Sequence, residues 1–145
     1  MNNPLESVLS LKRWEEDEAK NLFAMARKDL DQEEMRLEVL EKNFRSFNEK
    51  IRIDGNKLST IDEMKQAQIH MDHILRLLQR QKELVAISRK RLDDAAKIMT
   101  VASKERKIFE KVDERHKAAE RHDTKKKEER VIDEHAVQRY KRPRE

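Results

Sequence analysis

The sequence predicts an all-α protein of two long helices, which pair as an antiparallel coiled-coil hairpin with the second helix overhanging the first. About eighty residues from Thr60 to Tyr140 contain neither proline nor glycine, so nothing there must break a helix. Apolar residues recur at alternating spacings of three and four on both sides of Gly55, the only glycine. A helix, a short turn and a second helix make a helical hairpin.

The first helix is predicted over residues 4–53, followed by a loop over 54–59. Asn3 is a suitable cap, Pro4 fits the first helical position and Glu6 stands where a capping box places its carboxylate. Lys12 and Glu16 interrupt the otherwise mostly apolar seam. The seam comprises Leu5, Leu9, Lys12, Glu16, Ala19, Phe23, Ala26, Leu30, Glu33, Leu37, Leu40, Phe44, Phe47 and Ile51.

The second helix is predicted over residues 60–140, beginning with a capping box at Thr60-Ile61-Asp62-Glu63. At about 1.5 Å per residue it would extend on the order of 120 Å, which predicts a rod. Gln81, Ser88 and Arg106 are polar exceptions in its seam. The apolar seam positions are Met64, Ala67, Met71, Ile74, Leu78, Val85, Leu92, Ala95, Met99, Ala102 and Phe109.

Two registers suit the pairing of these seams, because antiparallel seams meet in steps of seven residues. Paired residue numbers add to 118 in one register and to 111 in the other. We prefer 118, which pairs Phe44 with Ile74 and Leu40 with Leu78 and leaves a less strained loop. One domain over residues 1–145 is expected, with pairing over about 5–112 and an overhang over 113–145.

The overhang contains charged residues and then a short amphipathic patch. Residues 113–130 hold only two apolar residues, both alanine. The patch that follows has helical spacing but no remaining partner stretch in the chain, so we expect it to dock on another protein. It consists of Val131, Ile132, Ala136, Val137 and Tyr140.

Composition excludes several classes of protein. Charged residues make up 44% of the chain and cysteine is absent, which removes disulfides and thiol catalysis. No apolar run approaches a membrane span, and no secretory signal is visible, so we expect a soluble intracellular protein. His70 and His73 lack a third metal ligand. No phosphate loop, nucleophile motif or carboxylate pair is apparent, so we expect no enzyme activity, cofactor or metal.

Nucleic-acid binding is also disfavoured. The net charge is only +4, and most basic residues alternate with acidic ones instead of sharing one face. The basic tail follows the seam, whereas basic zippers place it before the seam.

Six off-seam apolar residues admit two interpretations: they either broaden the seam or contact a partner. They are Leu11, Trp14, Leu22, Leu75, Leu77 and Leu84, and residues 70–85 form a second candidate contact surface.

Both ends of the chain carry residues similar to those of a known family. At the start these are Leu5, Val8-Leu9, Leu11-Lys12-Arg13, Glu16-Asp17-Glu18-Ala19, Leu22 and Ala26; at the end they are Ile132-Asp133-Glu134, Arg139 and Lys141-Arg142-Pro143-Arg144-Glu145. Together with the length and the mid-chain turn, they resemble the flagellar type III export family FliJ, which is related to injectisome central-stalk proteins.

The resemblance implies a non-enzymatic stalk and escort component of the flagellar export apparatus. Such proteins enter and promote the hexameric export ATPase, and contact the cytosolic domain of the export gate and the export chaperones. The implied ATPase contacts are Leu11, Arg13, Trp14, Ile132, Val137, Arg139 and Tyr140. The implied gate contacts are His70, Ile74, Leu77 and Gln81.

The implied location is cytoplasmic, peripheral at the cytoplasmic face of the inner membrane, without stable membrane insertion. The free protein is expected to be a monomer. The alternative function is that of a structural coiled coil that self-associates through its flanking leucines. Flagellar and injectisome membership both remain open from the sequence.

Overall fold

A computed structural model describes residues 4–55 and 60–141 of the chain. Helix α1 runs over Pro4–Asp54 and helix α2 over Ile61–Lys141. The two helices contact each other as an antiparallel hairpin, and the described ranges contain no strand. The all-α hairpin predicted from the sequence is therefore confirmed. The predicted cap at Asn3 and the basic finish after Lys141 lie outside the described residues.

Residues next to the turn explain where α1 ends and where α2 begins. A Cβ added to Gly55 would lie 2.8 Å from the carbonyl oxygen of Ile51, closer than real side chains approach. Glycine is therefore the residue that fits directly after α1. At the start of α2, the Glu63 amide donates to the Thr60 hydroxyl at 3.3 Å, and the Met64 amide donates to the Thr60 carbonyl at 3.3 Å. Thr60 caps α2 as its sequence position predicts.

Contacts within the chain define two compact units. The central unit is Asp17–Thr100, and the terminal unit is Met1–Glu16 with Val101–Glu145. The central unit has a mostly aliphatic core with two polar members, Gln81 and Ser88. Its buried apolar residues are Ala19, Leu30, Ile74, Leu78, Val85 and Ala95.

The terminal unit has a smaller and more polar core. Its buried apolar residues are Leu9 and Ala102, and its buried charged residues are Glu16 and Asp113. Beyond Asp113, every described residue over 114–141 is exposed. The sequence predicted pairing as far as about residue 112; in the structure Val112 is exposed and its neighbour Asp113 is buried. Asp113 is the next seam position, four residues after Phe109.

The predicted seams agree with the observed burial. All fourteen seam positions of α1 are buried or half-buried. On α2 the same holds at each predicted seam position except Met64, which is exposed. Met64 lies in the first turn of α2, opposite the last residues of α1, where little of that helix remains to cover it.

Side-chain contacts between the helices favour one register. The residue numbers add to 117 for Phe47 with His70 and for Lys12 with Glu105. They add to 114 for Gln81 with Glu33, to 122 for Arg106 with Glu16 and to 123 for Arg89 with Glu34. These sums centre close to 118, the register preferred from the sequence, and not on 111.

Candidate partner-binding surfaces

Leu11 and Trp14 form an outward-facing apolar pair on α1. They lie three residues apart, so they are neighbours on the helix surface. Neither is a seam position; the nearest seam positions are Lys12 and Glu16. The exposed fraction is 51% for Leu11 and 60% for Trp14. Arg13, beside them, is directed across the hairpin, with its Nε 3.6 Å from a carboxylate oxygen of Glu110. Leu11 and Trp14 are therefore accessible to a partner, while Arg13 is partly engaged.

Charged residues occupy the seam of the terminal unit. Arg106 Nε donates to Glu16 at 2.8 Å, and its Nη1 donates to Glu110 at 2.8 Å. These hydrogen bonds, that to Glu16 first, raise the pKa of Arg106 above its ordinary value. Glu16 is only 5% exposed, so the guanidinium compensates a carboxylate that has lost most of its hydration.

A second ion pair lies next to this one. Lys12 Nζ donates to Glu105 at 3.1 Å and to Glu15 at 3.3 Å. The hydrogen bond to Glu105 is the main cause, and that to Glu15 the next, of a raised pKa for Lys12. The same ammonium lies 5.5 Å from the centre of the Phe109 ring, a cation–π distance. The seam is therefore held here by charge pairing as well as by apolar contact.

Asp113 is the last buried residue of the terminal unit among the residues that the structure describes. One of its carboxylate oxygens lies 3.1 Å from Lys117 Nζ, one turn further along α2. The other oxygen is buried and has no hydrogen-bond partner in the structure. After this residue α2 continues without cover from α1.

The terminal patch is freely accessible. Tyr140 is 93% exposed, and Arg139 is exposed beside it. The other large members of the patch are between half and two-thirds exposed: Val131, Ile132 and Val137. Because every residue over 114–141 is exposed, the structure does not bring this patch together with Leu11 and Trp14.

Local contacts support the overhanging part of α2. The Thr124 hydroxyl donates to the Glu120 carbonyl at 2.9 Å, and Arg121 Nε donates to the Lys117 carbonyl at 3.3 Å. His116 Nδ1 lies 3.4 Å from Glu120 Oε1, a salt bridge only when the histidine is protonated. Such contacts between residues four apart each contribute little to the stability of the helix.

The four residues predicted to meet the export gate are divided between surface and core. Leu77 is 38% exposed, and His70 is exposed with its ring edge-to-face against Phe47 at 4.4 Å between centroids. Ile74 and Gln81 are instead buried between the helices. As seam residues they are covered by α1, so they are not part of an accessible surface in the folded hairpin.

Gln81 also has its polar group satisfied inside the protein. Its Nε2 donates to the backbone carbonyl of Glu33 at 2.9 Å and to the carboxylate of the same residue. The sequence places Gln81 at a seam position, and that position indicates a role in pairing the two helices. Contact of His70 or Leu77 with an export gate stays a prediction.

The described ranges show no membrane-spanning or metal-binding feature. Neither helix, over the residues placed, has a segment long and apolar enough to cross a membrane. Across 4–55 and 60–141 there is also no group of three or more histidine or acidic side chains arranged to hold a metal ion.

Comparison with protein families confirms the resemblance that the sequence shows at both ends of the chain and at the mid-chain turn. A family model described as flagellar FliJ protein matches residues 1–145, the whole chain. The chain belongs to the FliJ family. No curated protein and no solved structure matches it. FliJ membership gives the protein a role related to flagellar export, within a family of structural and escort proteins that are not known as enzymes.

Proposed function

We propose that this FliJ-family protein is a non-enzymatic stalk and escort component of the flagellar export apparatus. In this role it inserts into the hexameric export ATPase and promotes its activity. It also contacts the cytosolic domain of the export gate and the export chaperones. It acts in the cytoplasm, peripherally at the cytoplasmic face of the inner membrane.

The observation that carries the ATPase part of the proposal is the uncovered overhang. Val131, Ile132, Val137 and Tyr140 keep helical spacing on α2, yet all four are at least half exposed. Helical apolar patches that no part of their own chain covers are typical protein-binding sites. Membership of the FliJ family supports a role related to flagellar export, and the proposal takes the partner from that role.

The exposed pair Leu11 and Trp14 supports a second contact with the same ATPase. Tryptophan contributes a large contact area and is enriched among residues that dominate binding energy. Ion pairs such as Arg13 with Glu110 are solvent-accessible, and contacts of this kind contribute little individually. A stalk that turns or shifts inside a ring benefits from such weak, distributed polar contacts.

The decisive experiment compares ATPase stimulation by three purified proteins: the parent chain, a Val137→Ser/Tyr140→Ser variant and a Leu75→Ser variant. Leu75 is also exposed and apolar but lies outside both proposed ATPase contacts, which makes it a matched control. We expect the patch variant to need a higher concentration for half-maximal stimulation, because it loses apolar contact area worth about 25 cal/mol per Å². The control should act like the parent.

Equal stimulation by the patch variant and the parent would contradict the proposal.

Light scattering on the same samples tests the alternative function, self-association through flanking leucines. We expect a monomer near 17.4 kDa. A stable dimer or tetramer that Leu77→Ser and Leu84→Ser dissociate would favour the structural coiled coil instead.

A further inference from the structure

The terminal unit has few buried apolar side chains to hold its two helices together. Among its described residues, only Leu9 and Ala102 are apolar and buried, and alanine contributes little area. Leu5 and Phe109 are half-buried. The central unit instead buries six apolar side chains, four of them leucine, isoleucine or valine. Since apolar burial is the main favourable term in folding, the terminal unit gains less from the pairing of its helices.

Charged side chains take the remaining seam positions of the terminal unit. They are Lys12, Glu16, Arg106 and Asp113, half of the eight seam positions described there. Glu16 is 5% exposed and accepts a hydrogen bond from the Arg106 guanidinium at 2.8 Å. The cost of desolvating two such charges offsets most of their attraction. Water can therefore replace these contacts at a small net cost when the helices separate.

Asp113 opposes the pairing directly. It is 5% exposed, and one of its carboxylate oxygens is buried with no hydrogen-bond partner in the structure. Lys117 Nζ lies 3.1 Å from the other oxygen. An unsatisfied buried polar atom costs free energy that is regained when water reaches it. Separation of the helices beside Asp113 restores the hydration of this oxygen.

We propose that the terminal unit opens as one cooperative body, with residues 4–16 of α1 leaving α2 while the central unit stays paired. Parts of a protein with few buried apolar contacts open at a lower free energy than the rest of the fold. This opening is distinct from fraying, in which the first residues of a helix open most often and each later residue less often. In the cooperative opening, residues 4–16 separate together.

Opening gives the start of α1 a second apolar face. Leu11 and Trp14 are exposed on its outer side while the unit is closed. Leu5 and Leu9 lie on the opposite side of α1, toward α2, since each residue turns the helix by about 100°. Leu9 is only 4% exposed in the closed unit, so opening uncovers it. The inference depends on the hairpin alone and not on the identity of any partner.

Hydrogen exchange of the full-length protein, followed by NMR, tests the proposal because amide protection reports local opening. The first four amides of α1 lack a helical hydrogen bond, so the comparison starts at residue 8. Amides over 8–16 and 103–112 should be protected at least about tenfold less than those over 26–40 and 74–88. Protection should be similar from residue 8 to residue 16 and then rise in one step.

The Asp113→Leu variant separates cooperative opening from local packing. Asp113 lies opposite Leu5 in the register whose paired numbers add to 118. Its replacement by leucine removes the unsatisfied carboxylate, so protection over 8–16 should rise by at least about fivefold. If the unit opens as one body, the rise is the same at Glu16 as at Val8, although Glu16 is about three turns away from Leu5. Asp123→Leu is the control, because Asp123 is exposed beyond the part that α1 covers, and it should leave protection unchanged.

The double variant Glu16→Leu/Arg106→Leu tests the same coupling from the other end of the unit. An apolar layer replaces the ion pair, so protection should rise at residue 8 as well as at residue 16. Protection over 26–40 should keep the parent's value in every variant, which shows that the central unit still folds.

Equal protection in the two units would overturn the proposal. Protection that rises steadily along residues 8–16 would overturn it as well, since fraying predicts that gradient. The remaining contradictory results are a rise in Asp113→Leu that does not reach residue 16 and an equal rise in the Asp123→Leu control.

Discussion

The central and terminal units are built from the same two helices but stabilised by different interactions. In the central unit Leu30, Ile74, Leu78 and Val85 are each no more than 7% exposed. In the terminal unit half of the eight described seam positions are charged, namely Lys12, Glu16, Arg106 and Asp113. Burial of apolar side chains stabilises the fold roughly in proportion to the buried area. A buried ion pair adds little net stability, because the cost of desolvating its charges offsets most of their attraction.

This difference indicates a division of roles. The central unit has the core that maintains the hairpin, while the terminal unit has a seam whose charge pairs fix the register and contribute less to stability. The residues that follow Asp113 are all exposed and add to neither core. Substitutions should therefore have their largest effects in the central unit and progressively smaller ones toward the chain ends.

The largest effect is expected from Leu78→Asp in the central unit. The carboxylate would be placed in a 7% exposed seam position without a cationic partner, which should cost about 3–5 kcal/mol. The melting temperature, followed by circular dichroism at 222 nm, should fall by about 10 °C or more. Leu75→Asp is the control, because Leu75 is 45% exposed and its substitution should change the melting temperature little. Similar melting of the Leu78→Asp variant and the parent would mean that the seam is misassigned.

A smaller effect is expected from Arg106→Leu in the terminal unit. This change leaves the buried Glu16 carboxylate without its 2.8 Å guanidinium donor, so the melting temperature should fall, but by less than in Leu78→Asp. The double variant Glu16→Leu/Arg106→Leu should recover the parent's melting temperature or exceed it, because an apolar layer replaces the ion pair. A double variant less stable than Arg106→Leu alone would show that the charge pair is a main source of stability.

The smallest effect concerns the pH dependence of Lys12. Its pKa is raised above 10.5 in the folded protein, so its contribution to stability is fully present below the unfolded value and is lost as pH rises through the folded one. The melting-temperature difference between the parent and Lys12→Gln should therefore be constant from pH 7 to 9 and shrink above about pH 10.5. Lys97→Gln, at an exposed position, serves as the control. A difference that already disappears between pH 7 and 9 would contradict this assignment.

The sequence was sufficient for the hairpin because its heptad spacing directly determines which side chains are covered. It was also sufficient for the uncovered patch at Val131 and Tyr140, since no stretch of chain remained to pair with it. The burial of Gln81 followed from its seam position, although the family resemblance had assigned it to a partner surface.

The spacing of apolar residues cannot predict the partners proposed here, the ATPase, the export gate and the chaperones. An exposed apolar patch specifies size, shape and charge, and many partners fit those properties. For Leu11 and Trp14, the sequence left open whether they broaden the seam or contact a partner. In the structure both are at least half exposed, so they do not broaden the seam, and their contact with a partner stays a prediction.

The central claim is that one part of the chain folds the hairpin and another part binds the ATPase. The most direct measurement uses a chain that ends at Lys117, which keeps the ion pair between Lys117 and the buried Asp113, and records both its thermal unfolding and its stimulation of the export ATPase. Because residues 114–141 are exposed throughout, the melting temperature should stay within about 2 °C of the parent. Stimulation of the ATPase should be lost or strongly weakened. A truncated protein that stimulates the ATPase at the parent's concentration, or one that melts far below the parent, would contradict the claim.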